Sequence, residues 1–153
     1  MRIRLHLNGK EITAEVPADM MLLDFVRAQG CFSVKRGCET SNCGLCTVWM
    51  DEKPVLSCSV LAARADGHRV VTLEGCQKEA EAFGAYLADQ GAEQCGYCSP
   101  GFIMNVLAME KELENPTDEE IREYLAGNLC RCSGYEGQLR AIRAYLDARK
   151  REA

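Results

Sequence analysis

Ten cysteines in 153 residues restrict this chain more than any other feature of it. Such a density belongs either to a disulfide framework in an exported protein or to thiolate chemistry in a reducing compartment. The opening Met1-Arg-Ile-Arg-Leu-His-Leu7 alternates in polarity and reaches Asn8-Gly9 with no apolar signal core or small-residue cleavage site, so the second alternative is expected. No apolar run approaches the length of a bilayer span, which makes the cytoplasm the expected compartment. Cysteines there mean metal or redox chemistry. The formal net charge of -5 argues against a nucleic-acid partner gripped through its phosphates. The densest basic group, Arg140, Arg143, Arg149, Lys150 and Arg151, reads as a solvated helix end.

No fixed-period repeat is visible, and the composition shifts from strand-forming to helix-forming residues after Gly75. Two domains are therefore expected, 1–75 and 76–153. Each is small enough that bound metal would supply part of its stability. In the first, Ile3, Leu5 and Leu7, the Asn8-Gly9 turn, then Ile12, Ala14 and Val16 predict a β-hairpin. After Pro17, with Asp19 as a cap, Leu22, Leu23, Phe25 and Val26 predict a short helix that stops at Gly30. Residues 31–47 have no period and predict a long loop, of the kind that is usually functional. Strands are expected at 47–50 and 55–61, around an Asp51-Glu52-Lys53-Pro54 turn, and at 70–73. The second half predicts helices throughout: one over 78–90, one opened by Ser99-Pro100 with Phe102, Val106 and Met109 on one face, one capped by Thr117 and Glu120, and a last one carrying Leu139, Ile142 and Leu146.

Cys38-x4-Cys43-x2-Cys46 followed by Cys58 has the plant-type ferredoxin spacing, in which four thiolates hold a [2Fe–2S] cluster. Three ligands come from one wrapping loop and the fourth from a neighbouring element. Gly37 and Gly44 would let backbone N–H groups approach the cluster sulfides closely and help set the potential. A structural zinc site is the rival, but four-cysteine zinc sites usually present two C-x2-C pairs on two turns. The second set, Cys95-x2-Cys98 and Cys130-x-Cys132, sits at expected helix ends, where the dipole lowers thiol pKa values. A C-x-C pair strains a single tetrahedral metal, whereas a two-iron cluster could take it on one iron.

Gln94-Cys-Gly-Tyr-Cys-Ser-Pro-Gly101 and Gly127-Asn-Leu-Cys-Arg-Cys-Ser-Gly-Tyr135 resemble the paired motifs of the iron–sulfur subunit of the molybdenum hydroxylases, the xanthine dehydrogenase, aldehyde oxidoreductase and carbon monoxide dehydrogenase type. The resemblance covers nearly the whole chain. It implies an α+β architecture, an N-terminal β-grasp ferredoxin-like domain followed by an all-α four-helix domain. It also implies an electron-transfer subunit with no substrate chemistry and no catalytic residue of its own. Cys95, Cys98, Cys130 and Cys132 would hold the cluster near a molybdenum-pterin centre on a large partner subunit. Cys38, Cys43, Cys46 and Cys58 would hold the one facing an FAD-binding subunit. Gln94 and the Cys132 sulfur would contact the pterin.

The chain departs from the family pattern at Ser41, where Gly is common, near Leu45, and at Ser99 and Ser133, where Thr is common. Ser41 matters most, because it adds a hydroxyl near the first cluster and takes a positive φ less freely than Gly. Cys31 and Cys76 fall outside both sets and read as buried thiols. His6 and His68 have no metal-ligand partner at useful spacing, and Trp49 reads as core. The remaining alternatives are a stand-alone ferredoxin-like carrier and a zinc-stabilised interaction module.

Overall fold

Alternation decides the first hairpin. In β1 (Arg2–Leu7) Ile3, Leu5 and Leu7 are buried while the residues between them face solvent. Asn8 and Gly9, at φ 51° and 80°, turn the chain straight back into β2 (Lys10–Glu15). Two successive left-handed residues are what a two-residue hairpin loop requires. The computed structural model describes residues 1–152.

Helix α1 (Leu22–Ala28) buries Leu22, Leu23, Phe25 and Val26. It ends at Gly30, φ 91°, where the N–H groups of Gly30 and Cys31 return to the carbonyls of Arg27 and Val26, closing a Schellman motif. Asp19 does not cap it. The helix starts after Met21, which bridges Leu61, and the Leu22 N–H donates to the Val60 carbonyl. A distant chain segment thus satisfies the donor that a local cap would have served.

After the loop, β3 (Thr47–Met50) and β4 (Lys53–Leu56) form a hairpin tighter than expected. Its turn is Asp51-Glu52 alone, at φ 49° and 68°. The Asp51 carboxylate accepts from the Arg69 N–H at 2.9 Å and lies 2.6 Å from His68 Nδ1, which holds this glycine-free turn. The strand expected over 55–61 is also cut short. At Ser57–Ser59 the chain enters a 3₁₀ turn, because the Ser57 N–H and hydroxyl both donate to the Cys46 carbonyl. β5 (Arg69–Val71) lies at the centre, parallel to β1 and antiparallel to β3, giving the order β2-β1-β5-β3-β4. Pro54 is tolerated because β4 is an edge strand.

Four helices follow: α2 (Gln77–Asp89), α3 (Ser99–Glu112), α4 (Asp118–Tyr124) and α5 (Glu136–Glu152). The Thr117–Glu120 capping box forms as expected. Helix α3 is buried nearly all round, at Ile103, Met104 and Leu107 as well as at Phe102, Val106 and Met109. The single apolar face expected for it is too narrow because α3 packs against β3 and β4 in addition to α2. Trp49 of β3 joins the helical core, donating its indole N–H to the Met104 carbonyl at 2.9 Å. The architecture is α+β, a sheet-based half followed by a helical half.

Candidate metal centres

The first site is built by the loop before β3 and by the 3₁₀ turn after β4. The Cys46 and Cys58 sulfurs are 3.3 Å apart, and the Cys38 and Cys43 thiols hydrogen-bond each other. Backbone N–H groups of Thr40, Asn42 and Cys43 converge on Cys38 and bring its thiol down to about 6. Burial pushes Cys46 up to about 11. The Gly37 N–H reaches the Cys43 sulfur, and a Cβ there would stand 2.7 Å from Leu45 Cδ2.

Gly44 is also a point of close approach between the two halves. At φ 73°, its missing Cβ leaves room for the helical half, since a Cβ would lie 2.5 Å from the Gly127 carbonyl oxygen and 2.6 Å from Asn128 Nδ2. Ser41 takes a positive φ of 57° despite its side chain. Its hydroxyl lies 2.7 Å from the Ser59 hydroxyl and 3.8 Å from the Cys58 sulfur.

The second site lies where α2, α3 and the α4–α5 loop meet. Cys98, not Ser99, is the N-cap of α3. Ser99 is already helical, and its hydroxyl donates to Glu93 at 3.2 Å. The Cys132 and Cys95 sulfurs are 3.7 Å apart, and Cys98 hydrogen-bonds Cys130. As free thiols, Cys130 and Cys132 therefore pair with different partners, Cys98 and Cys95.

Burial pushes Cys98 up to about 12. Cys130, although burial opposes it, is lowered by the hydroxyl and N–H of Ser133, at 3.2 and 3.3 Å. Cys95 is lowered, first by the Tyr97 N–H. Each site thus carries two pairs of thiols, a donor set suited to two irons with a pair on each. Among the described residues, no three His, Cys, Asp or Glu side chains converge as one metal ion would need.

The two sites are joined by contacts that no local pattern in the sequence announces. The Leu129 N–H, adjacent to Cys130, donates to the Cys43 carbonyl at 2.9 Å. Asn105 donates to the buried Asn128 at 2.5 Å, behind the same loop. Gly101 of α3 touches the first loop so closely that a Cβ would lie 2.3 Å from the Gly44 carbonyl oxygen. Lys35 crosses from the first loop to the second, with its ammonium 3.3 Å from the Tyr97 carbonyl oxygen and 4.6 Å from the centre of the Tyr97 ring.

Gln94 is exposed and donates to the Gly91 carbonyl at 3.1 Å. Exposed Tyr97, Leu129 and Tyr135 rim the second site. Cys31 and Cys76 are buried away from both sets, the latter 3.5 Å from the Met104 sulfur, and burial raises both thiols, Cys76 to about 11. His6 lies on the exposed side of β1, and His68 pairs with Asp51. No helix among the described residues is long and apolar enough to cross a membrane.

Two domain profiles match in tandem, the 2Fe-2S iron-sulfur cluster binding domain over residues 5–77 and the [2Fe-2S] binding domain over residues 72–143. The chain is thus an iron–sulfur protein with two [2Fe–2S]-binding domains. It is 41% identical over 136 residues to the nicotinate dehydrogenase small FeS subunit of Eubacterium barkeri, covering 87% of each chain. It is 44% identical over 143 residues to the xanthine dehydrogenase iron-sulfur-binding subunit of Escherichia coli O157:H7, covering 88% of this chain and 87% of that one. The structure of quinoline 2-oxidoreductase from Pseudomonas putida 86 matches with a TM-score of 0.89 at 36% identity, over 99% of this chain and 96% of that one. The chain belongs to the small [2Fe–2S] subunits of the molybdenum hydroxylases, the electron-transfer subunits of multi-subunit dehydrogenase complexes.

Proposed function

We propose that Cys38, Cys43, Cys46 and Cys58 hold one [2Fe–2S] cluster, in a domain spanning 1–75. Cys95, Cys98, Cys130 and Cys132 hold the other, in a domain spanning 76–153. Electrons enter at the second site from a molybdenum-pterin centre on a large partner subunit and leave by the first toward an FAD-binding subunit, in a cytoplasmic complex. When bound, the clusters supply one-electron storage at each site. The observation that carries this reading is the backbone bond from Leu129 to Cys43, which connects a residue beside one ligand set to a member of the other. Exposed Cys95 and Cys132, rimmed by Tyr97, Leu129 and Tyr135, offer the outer end of the path to a partner. Gln94 and Cys132 are the residues placed to meet the pterin.

Anaerobic purification of the intact complex tests this reading. About four iron and four sulfide per chain are expected from two four-thiolate clusters, together with co-purifying molybdenum and flavin. Dye reduction is then screened with N-heterocycles, aldehydes and carbon monoxide. Stoichiometric zinc and no visible absorption would overturn the assignment in favour of a zinc-stabilised module. Two clusters on a chain that purifies without partners would favour a stand-alone carrier.

A further inference from the structure

Lys35 is rooted in one domain and delivers its charge to the other. Its backbone N–H donates to the Leu45 carbonyl within the first cysteine loop. Its ammonium stands against Tyr97, the residue between Cys95 and Cys98. Tyr97 contacts it twice, through the carbonyl and through the ring face, so the charge is held in a definite place although the Tyr97 ring is half exposed. The Tyr97 N–H, in the preceding peptide group, donates to the Cys95 sulfur, so the residue that holds the Lys35 charge also contacts a thiol of the second set.

We propose that Lys35 sets the reduction potential of the second site across the domain boundary, raising it relative to the first. This rests on the reading that Cys95, Cys98, Cys130 and Cys132 hold a cluster. A four-thiolate [2Fe–2S] unit gains negative charge when it takes up an electron, so a fixed cation beside it favours the reduced form. The charge is only partly screened, since Lys35 is half-buried. Two other charged residues lie within two positions of Cys95, Cys98, Cys130 or Cys132 along the chain. Glu93 is occupied by the Ser99 hydroxyl, and Arg131, between Cys130 and Cys132, is exposed to solvent. Lys35 differs from both in being positioned by the neighbouring domain, so the second site acquires this part of its environment only when the domains are packed together.

The test is an anaerobic redox titration of the full chain carrying both clusters, followed by electron paramagnetic resonance. Cys38→Ser and Cys132→Ser variants assign the two signals. Lys35→Met keeps the side-chain length and removes the charge, and Lys35→Arg keeps the charge. The Met variant is expected to shift the one-electron equilibrium of the second site toward the oxidised form by about tenfold, which is 59 mV, with a smaller change at the first site. The Arg variant should restore most of that shift. An unchanged second site, an equal shift at both sites, or an Arg variant that behaves like Met would overturn the proposal. A wild-type chain lacking the Cys132-dependent signal would instead overturn the cluster assignment beneath it.

Discussion

At the first site Cys43 and Cys46 are buried and Cys38 and Cys58 half-buried, whereas at the second Cys95 and Cys132 are exposed and only Cys98 and Cys130 are half-buried. The difference follows from the elements that carry them. A loop without regular structure can fold over its own ligands, and here residues 31–46 do so, with β3 and the Ser57–Ser59 turn closing the enclosure. Of the second set only Cys98 sits at a helix end, as the N-cap of α3. Cys95 lies in the loop before it, and Cys130 and Cys132 lie in the connection between α4 and α5, not at the helix ends the sequence suggested. Neither connection folds over its thiols as the first loop does, and Cys95 and Cys132 stay at the surface. The first site is covered by its own loop, and the second keeps one side open to solvent.

Removing one ligand from each site breaks the comparison most directly. Cys46→Ala should abolish the first cluster and Cys98→Ala the second, each cutting iron and sulfide per chain by about half. If the open site depends on its neighbour for shape, Cys46→Ala will also lower occupancy at the second site. The reverse effect should be weaker, and iron analysis with electron paramagnetic resonance separates the two.

The link between the halves comes next. Trp49→Ala removes a buried ring together with its indole bond to the Met104 carbonyl, and should cost about 3–5 kcal/mol. Urea unfolding would show the loss. A transition that also splits in two would mean that Trp49 couples the two cores, while a single shifted transition would mean that other contacts suffice.

The third effect separates ligands within the enclosed site. In the cluster-free chain at pH 7, the Cys38 thiol near 6 is mostly ionised and the Cys46 thiol near 11 is not. The difference in thiolate fraction is offset in part by the weaker nucleophilicity of the lower-pKa thiolate, leaving Cys38 on the order of a hundredfold faster toward iodoacetamide. Lowering pH from 8 should slow Cys46 in proportion to its thiolate throughout, and slow Cys38 only as pH falls through about 6. Peptide mapping of alkylation rates checks both the ratio and the pH dependence.

Features set by neighbouring residues were legible in the sequence. Asn8-Gly9 makes its turn and Thr117 with Glu120 makes its box, because the atoms involved are a few residues apart. The cysteine spacings were legible for the same reason, since three members of the first set share one loop. Distant competition was not. Where Asp19 would have capped, the Leu22 N–H instead donates to the Val60 carbonyl. Helix α3 begins one residue early, with Cys98 at its N-cap and Ser99 already inside the helix. The space that Gly44 leaves for Gly127 and Asn128, more than 80 residues away along the chain, had no local sign either. Lys35 carried no signal at all, because its partner Tyr97 belongs to the other domain.

The bond between Leu129 and Cys43 involves only main-chain atoms. Any residue except proline can donate it, so the joint between the two sites places almost no demand on the identity of residue 129. The Leu129 side chain, 47% exposed, is free to drift with whatever surface it meets while the connection behind it persists. A relay built this way can exchange partners over evolutionary time by substitution at its rim without rebuilding its interior.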